Sequence, residues 1–191
     1  MPDGIDPALT KTLVEAEGDV ARHGVVILRT IETELVPAIM AEARDSIESS
    51  PRKLSKLSEE ELDDLVDSLR KSATKAAKDL RKLYTRVLTK LGNEDMVELE
   101  QDLEGIGQLF KWSRIASVAE PVNEILEEKG FPPIELSGPA DVADNLAVEL
   151  EEKWQGAFSR FSDAVTLLAQ ENRKAESSEP VPAKKRKNKR K

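Results

Sequence analysis

The last eight residues, Lys184-Lys-Arg-Lys-Asn-Lys-Arg-Lys191, carry seven cations: Lys184, Lys185, Arg186, Lys187, Lys189, Arg190 and Lys191. Cations at that density neutralise phosphates and release their condensed counterions, so the expected chemistry is polyanion binding that weakens steeply as salt rises. The run contains no aromatic residue, which argues against stacking on bases and against sequence readout. Nucleic acid or a ribonucleoprotein is therefore the expected partner of this segment, with DNA and RNA equally open.

The rest of the chain has the opposite sign. The 191 residues hold 29 Lys and Arg against 37 Asp and Glu, a net charge of −8. Residues 1–173 alone hold 21 against 35, or −14. An acidic body should repel the polyanion that the tail attracts. Within the body the one basic concentration expected to matter is Arg81, Lys82, Arg86 and Lys90, which would become the binding surface if the tail proved dispensable. The tail also resembles a short monopartite nuclear-localisation signal, a resemblance confined to those eight residues. It implies a nuclear protein if the source is eukaryotic, and otherwise the cytoplasm.

Catalytic chemistry finds little to work with. The only histidine is His23, and Asp19, four residues earlier on the same helical face, is its simplest partner. A solvated or capping role fits it better than catalysis, because no nucleophile or orienting acid accompanies it in the sequence. A di-iron bundle would need two Glu-x-x-His motifs; one histidine cannot supply them, and Val20 stands where the glutamate before His23 should be. With no cysteine, disulfides and zinc-thiolate sites are excluded. The acidic runs Glu59-Glu-Glu61 with Asp63-Asp64, then Glu98, Glu100, Asp102 and Glu104, then Glu149, Glu151 and Glu152 read as solvated helix faces, the first also favouring its helix dipole. Neither a nucleotide-binding loop nor a calcium loop is present. No catalytic residue, metal or cofactor is expected.

Two tryptophans remain. Trp154 keeps the register of an apolar stripe and belongs in the core. Trp112, between Lys111 and Ser113-Arg114 and slightly off its stripe, is the candidate protein-binding anchor, since tryptophan dominates interface hot spots.

Four helical tracts must position these residues. The first spans about Pro7 to Ile47, with Leu9, Leu13, Val20, Leu28, Ile31, Leu35 and Ile39 apolar, and Pro37 kinks or divides it after Val36. Residues 49–57 connect it to the second, which opens on a Ser58/Glu61 capping box. That tract carries two seven-residue rows, Leu62, Leu69, Ala76, Leu83 and Val66, Ala73, Leu80, Val87, and Gly92 is its expected stop. Asn93 caps a third tract with Met96, Leu99, Leu103, Ile106, Phe110 and Ser113 on one stripe, in which Gly105 and Gly107 allow close packing. A short helix from Pro121 to Glu128 closes at Gly130, and residues 131–139 form an extended proline-rich link. The last tract starts near Pro139 or Ala140 and runs to about Lys174 through Val142, Leu146, Leu150, Trp154, Ala157, Phe161, Val165 and Leu168. Residues 175–191, without an apolar stripe, are expected to be disordered.

The reading is an all-α antiparallel bundle of about four long helices over residues 1–174, with a basic tail over 175–191. Its expected function is that of a non-enzymatic adaptor. The tail binds nucleic acid or a ribonucleoprotein, the bundle binds a protein, and a homodimer is open. The rival classes are an amphipathic coat on a lipid or polymer granule and, further behind, a helical-bundle enzyme. The acidic N-terminus has no apolar run after it, and Val25-Val-Ile-Leu28 is too short to span a bilayer, so an intracellular, soluble protein is expected.

Overall fold

The computed structural model describes residues 7–91 and 96–178, which contain helices and no strand. Gly92, Asn93 and the run Lys184–Lys191, to which the sequence assigns a helix stop, a cap and the nucleic-acid contact, lie outside the described residues.

The first tract is one continuous helical run. α1 (Pro7–Thr30) passes through a π turn at Ile31–Leu35 into α2 (Val36–Glu48). Pro37, near the start of α2, has no N–H to give and its ring crowds the carbonyl four residues back. The wider winding just before it accommodates that misfit without breaking the run. Ile27, not Leu28, takes the fully buried place on this tract, and Leu28 packs at the core's edge.

A short α3 (Pro51–Leu54) precedes α4 (Glu59–Leu91), the longest helix. Its capping box is formed as expected: the Ser58 amide donates to Glu61 Oε2 at 2.8 Å and the Glu61 amide to Ser58 Oγ at 3.2 Å. These bonds hold the exposed Glu61 carboxyl below its ordinary 4.5. The buried seam is Leu65, Leu69, Ala73, Ala77, Leu80, Tyr84, Val87 and Leu91. Half of the expected positions are therefore fully buried, while Leu62, Val66, Ala76 and Leu83 pack at the margin. The seam steps by fours from Leu65 to Ala77 and then holds a heptad alternation, in which the row Ala73, Leu80, Val87 is partnered by Ala77, Tyr84, Leu91 and not by Ala76 and Leu83.

α5 (Met96–Leu109) buries Leu99, Leu103 and Ile106. The chain then breaks at Lys111, whose backbone is extended, and resumes as α6 (Trp112–Ala116). Ser113 is consequently exposed, and Ile115 fills the place the stripe assigned to it. A 3₁₀ turn, Ser117–Ala119, leads into α7 (Glu120–Glu128), which carries Pro121 in its first turn. Gly130, at φ +77°, ends it in a Schellman arrangement. Its amide donates to Glu127 O and that of Phe131 to Leu126 O, both at 2.8 Å.

The link after Phe131 is extended as expected and is pinned from both sides. Asn123 accepts from the Ile134 amide at 2.7 Å and donates to the Ile134 carbonyl at 3.0 Å. The last tract begins later than its apolar spacing suggests. Pro139–Asp141 form only a 3₁₀ turn, tied by the Gly138 amide to Asp141 Oδ2, and Ala143 is extended. α8 (Asp144–Ala147) then runs through a second π turn, Val148–Trp154, into α9 (Gln155–Ser178).

Named contacts fix the packing directions. Along α1, Asp19 meets Arg160 and His23 meets Glu149, so α1 and the last tract are antiparallel. Gly24 faces Leu88 and Glu32 meets Arg81, so α1 and α4 are antiparallel as well. A Cβ on Gly24 would stand 2.8 Å from Leu88 Cδ2, which explains a glycine inside a helix at this crossing. One apolar core extends from Leu13 to Leu168. The sparse aromatics concentrate in one layer of it. Tyr84, Phe110, Trp154 and Phe158 stack with centroids 4.3, 4.0 and 4.8 Å apart, joining α4, the end of α5, the second π turn and α9.

Candidate functional site

The outward face of α4 is the main charged surface of the body. Between residues 70 and 90 the sequence has eight cations and one acid, Asp79, and all nine are exposed. At about 100° per residue, Lys71, Lys75, Lys78 and Lys82 fall within an arc of roughly 60°. That arc lies opposite the buried seam, so the apolar residues that fold α4 onto the core also aim the lysines directly into solvent. Arg86 continues the row towards the helix end, while Arg70, Arg81 and Lys90 flank it. Of the four reserve cations named from sequence, Lys82 and Arg86 are thus in a longer row, with Arg81 and Lys90 at its sides.

Two ion pairs among the described residues engage this face. Arg81 Nη1 lies 2.6 Å from Glu32 Oε1, and Lys82 Nζ lies 3.2 Å from Asp79 Oδ1. Both pairs are about half exposed or more and so contribute little. Arg70, Lys71, Lys75, Lys78 and Arg86 have no ionic partner among the described residues. A surface depression of about 520 Å³ lies among the side chains of Arg70 to Lys82. Outside residues 70–90, the first 173 residues hold 13 cations against 34 acids. The charge of the body is therefore strongly polarised instead of uniformly acidic.

His23 does not pair with Asp19. Its Nδ1 lies 2.5 Å from Glu149 Oε1, while Asp19 is held by Arg22 and Arg160, each at 3.0 Å. Glu149, read from sequence as solvated, is buried. It sits three residues after Leu146, at the edge of the apolar stripe, and the π turn holds it against α1. Lys153 Nζ engages Glu149 Oε2 at 3.0 Å, so both carboxylate oxygens are occupied. Burial alone would raise the Glu149 carboxyl, but the bonds from Lys153 and His23 together hold it below its ordinary 4.5. The arrangement is that of an interhelical staple. The sequence could not reveal it, because the partners are 126 residues apart.

Trp112 opens α6, half-buried, and packs against the core while keeping part of its ring at the surface. Trp154 is buried as expected. The Tyr84 hydroxyl donates to the Leu109 carbonyl, and burial pushes its pKa upward despite nearby Arg114. Gly107 stands over Phe158, where a Cβ would lie 3.0 Å from the ring, so this glycine serves helix packing. Among the described residues, no group of three or more His, Cys, Asp or Glu is placed to hold a metal ion, and no helix is long and apolar enough to cross a membrane.

The chain matches no protein family, and comparison with curated proteins and with solved structures likewise returned no significant match.

Proposed function

We propose that this chain is a non-enzymatic helical interaction protein that attaches to nucleic acid through its cations, with Lys184–Lys191 as the principal contact. The observation that carries this reading is the segregation of charge. Two short stretches, residues 70–90 and 184–191, contain 15 of the 29 cations, while the remainder of the chain is rich in acid. Such separation focuses attraction on a polyanion while the acidic surfaces limit non-specific adhesion. On this reading the rigid bundle carries the protein contact, with the half-buried Trp112 as its anchor, and the nucleic acid holds the assembly in place. The burial of each apolar stripe in one shared core favours this over a surface coat, which would need those stripes on the outside. The occupied oxygens of Glu149 favour it over an acid–base enzyme built on His23.

Anisotropy titrations of the full chain against labelled 20-nucleotide RNA and 20-base-pair DNA, at several salt concentrations, test the reading. Binding that falls steeply with salt and is indifferent to base sequence is expected. A full chain that binds neither at 50 mM salt sinks it.

A further inference from the structure

We infer that the outer face of α4, centred on Lys71, Lys75, Lys78 and Lys82, is a second phosphate-binding surface that lays the helical body along a nucleic-acid backbone. The inference rests on the proposed attachment to nucleic acid and extends it from the tail to the folded body.

Three observations support it. First, the row is geometrically ordered. Steps of four, three and four residues at 1.5 Å per residue place the four ammonium groups along about 16 Å of a straight helix. Arg86 extends the row to about 22 Å by the same rise. A rigid row of that length can meet several successive phosphates of one strand, which are spaced a few ångströms apart. Second, the acids on this side of α4, Glu60, Asp64 and Asp67, end one turn before Lys71, and from residue 70 onward the alternation of signs usual on a solvated helix is absent. Asp79 is the one acid among eight cations, although acids outnumber bases across the rest of the body. Third, the residues between the lysines on this face are small and polar, Ser72, Thr74 and Thr85, with no aromatic ring to stack on a base. Contact would therefore run through the backbone and be blind to sequence.

The same geometry disfavours a lipid surface. A helix that binds membranes inserts its apolar face, but that face of α4 is committed to the core through Leu69, Ala73, Ala77 and Leu80. What α4 offers outward is charge alone. The cations of Lys184–Lys191 and the row on α4, carried on one chain, would also reinforce each other, because binding by one raises the local concentration of phosphate at the other.

The test uses the full chain in four forms: parent, K71Q/K75Q/K78Q/K82Q, a tail form with its seven cations replaced by Gln, and the combination. The log–log salt dependence of binding to a 20-base-pair DNA is measured for each. The α4 variant should lose about two to four units of slope and at least tenfold in affinity at 100 mM salt, because each lost phosphate contact removes about 0.9 unit. A parallel variant with Lys→Arg at the four positions should bind like the parent. If melting shows that the quadruple Gln variant is unfolded, the pairs K71Q/K75Q and K78Q/K82Q carry the same test with half the effect. An α4 variant with the parent's slope and affinity, beside a tail variant that has lost all binding, overturns this inference and leaves the attachment through the tail standing. If the parent binds neither this DNA nor a 20-nucleotide RNA, both fall; if it binds only the RNA, the four forms are compared on the RNA with the same outcomes. Parent protein that binds phosphatidylserine vesicles and neither nucleic acid overturns the inference in favour of a membrane partner.

Discussion

Glu149 shows how one residue can serve the fold with a group that reads as surface charge. Its two oxygens join α1 to the last tract through His23 and brace the π turn through Lys153. Because its carboxyl is held below 4.5, its ionised form stabilises the native state above that value. The contribution is lost as pH falls through the native pKa, below 4.5. Glu149→Gln should therefore cost about 1.5–3 kcal/mol at pH 7, the range of a hydrogen bond to a charged group. Thermal melts at pH 7 and pH 4 check it: the gap between variant and parent should narrow at the lower pH. A constant gap would show that the charge of Glu149 is immaterial. Lys153→Gln should cost less at pH 7, since the Lys153 side chain is 51% exposed.

Two glycines at the same scale should respond with opposite signs. Gly18 is exposed inside α1 with nothing near its absent Cβ, so Gly18→Ala should stabilise by about 0.5–1 kcal/mol through helix propensity. Gly130 is held at φ +77° in the Schellman turn, with Lys53 Nζ 3.1 Å from where a Cβ would stand. Gly130→Ala should destabilise by about 1 kcal/mol, which corresponds to roughly 2–4 °C in a chain of this size. Calorimetry of the two variants would refute the conformational argument if both shifted Tm in the same direction.

At the scale of elements, α4 is the helix on which core and candidate interface meet. Leu69 is fully buried and Leu80 nearly so. Replacing either by Asp places an unpaired charge in the seam at a cost of several kcal/mol. Leu69→Asp and Leu80→Asp should therefore lose the cooperative melt seen by circular dichroism. Melts that overlay the parent would mean α4 is not packed as described. This helix also shows what periodicity makes legible. The Ser58–Glu61 cap, the all-helical fold and the burial of Leu69, Ala73, Leu80 and Val87 follow from local spacing. Ala77, Tyr84 and Leu91 escaped because the row Ala73, Leu80, Val87 can pair with a second row on either side, Ala76 and Leu83 or Ala77, Tyr84 and Leu91, and spacing alone does not choose. Leu65 escaped because the seam steps by fours before Ala77. Both π turns were equally invisible, since an extra residue in a turn leaves no apolar signature of its own. The cationic row was half legible. Its charges are plain in the sequence, but their placement opposite the seam became clear only once the seam itself was known. The Glu149 staple lay beyond reach because its partner comes from the far end of the chain.

For the whole molecule, the buried apolar residues among those described run from Leu13 to Ala169. Deleting Lys184–Lys191 should leave the far-ultraviolet spectrum unchanged and move Tm by no more than about 1 °C, because a run of Lys, Arg and Asn has no apolar side chain to bury. The deletion does change the electrostatics: removing seven cations takes the net charge from −8 to −15. Self-repulsion of that size destabilises a compact state slightly and is screened by salt. Any small loss of Tm at 10 mM salt should accordingly disappear by 0.3 M, where the Debye length is only about 6 Å. A drop of several degrees that persists at high salt would show that the tail packs against the bundle. The division between a folding body and a binding tail would then be wrong.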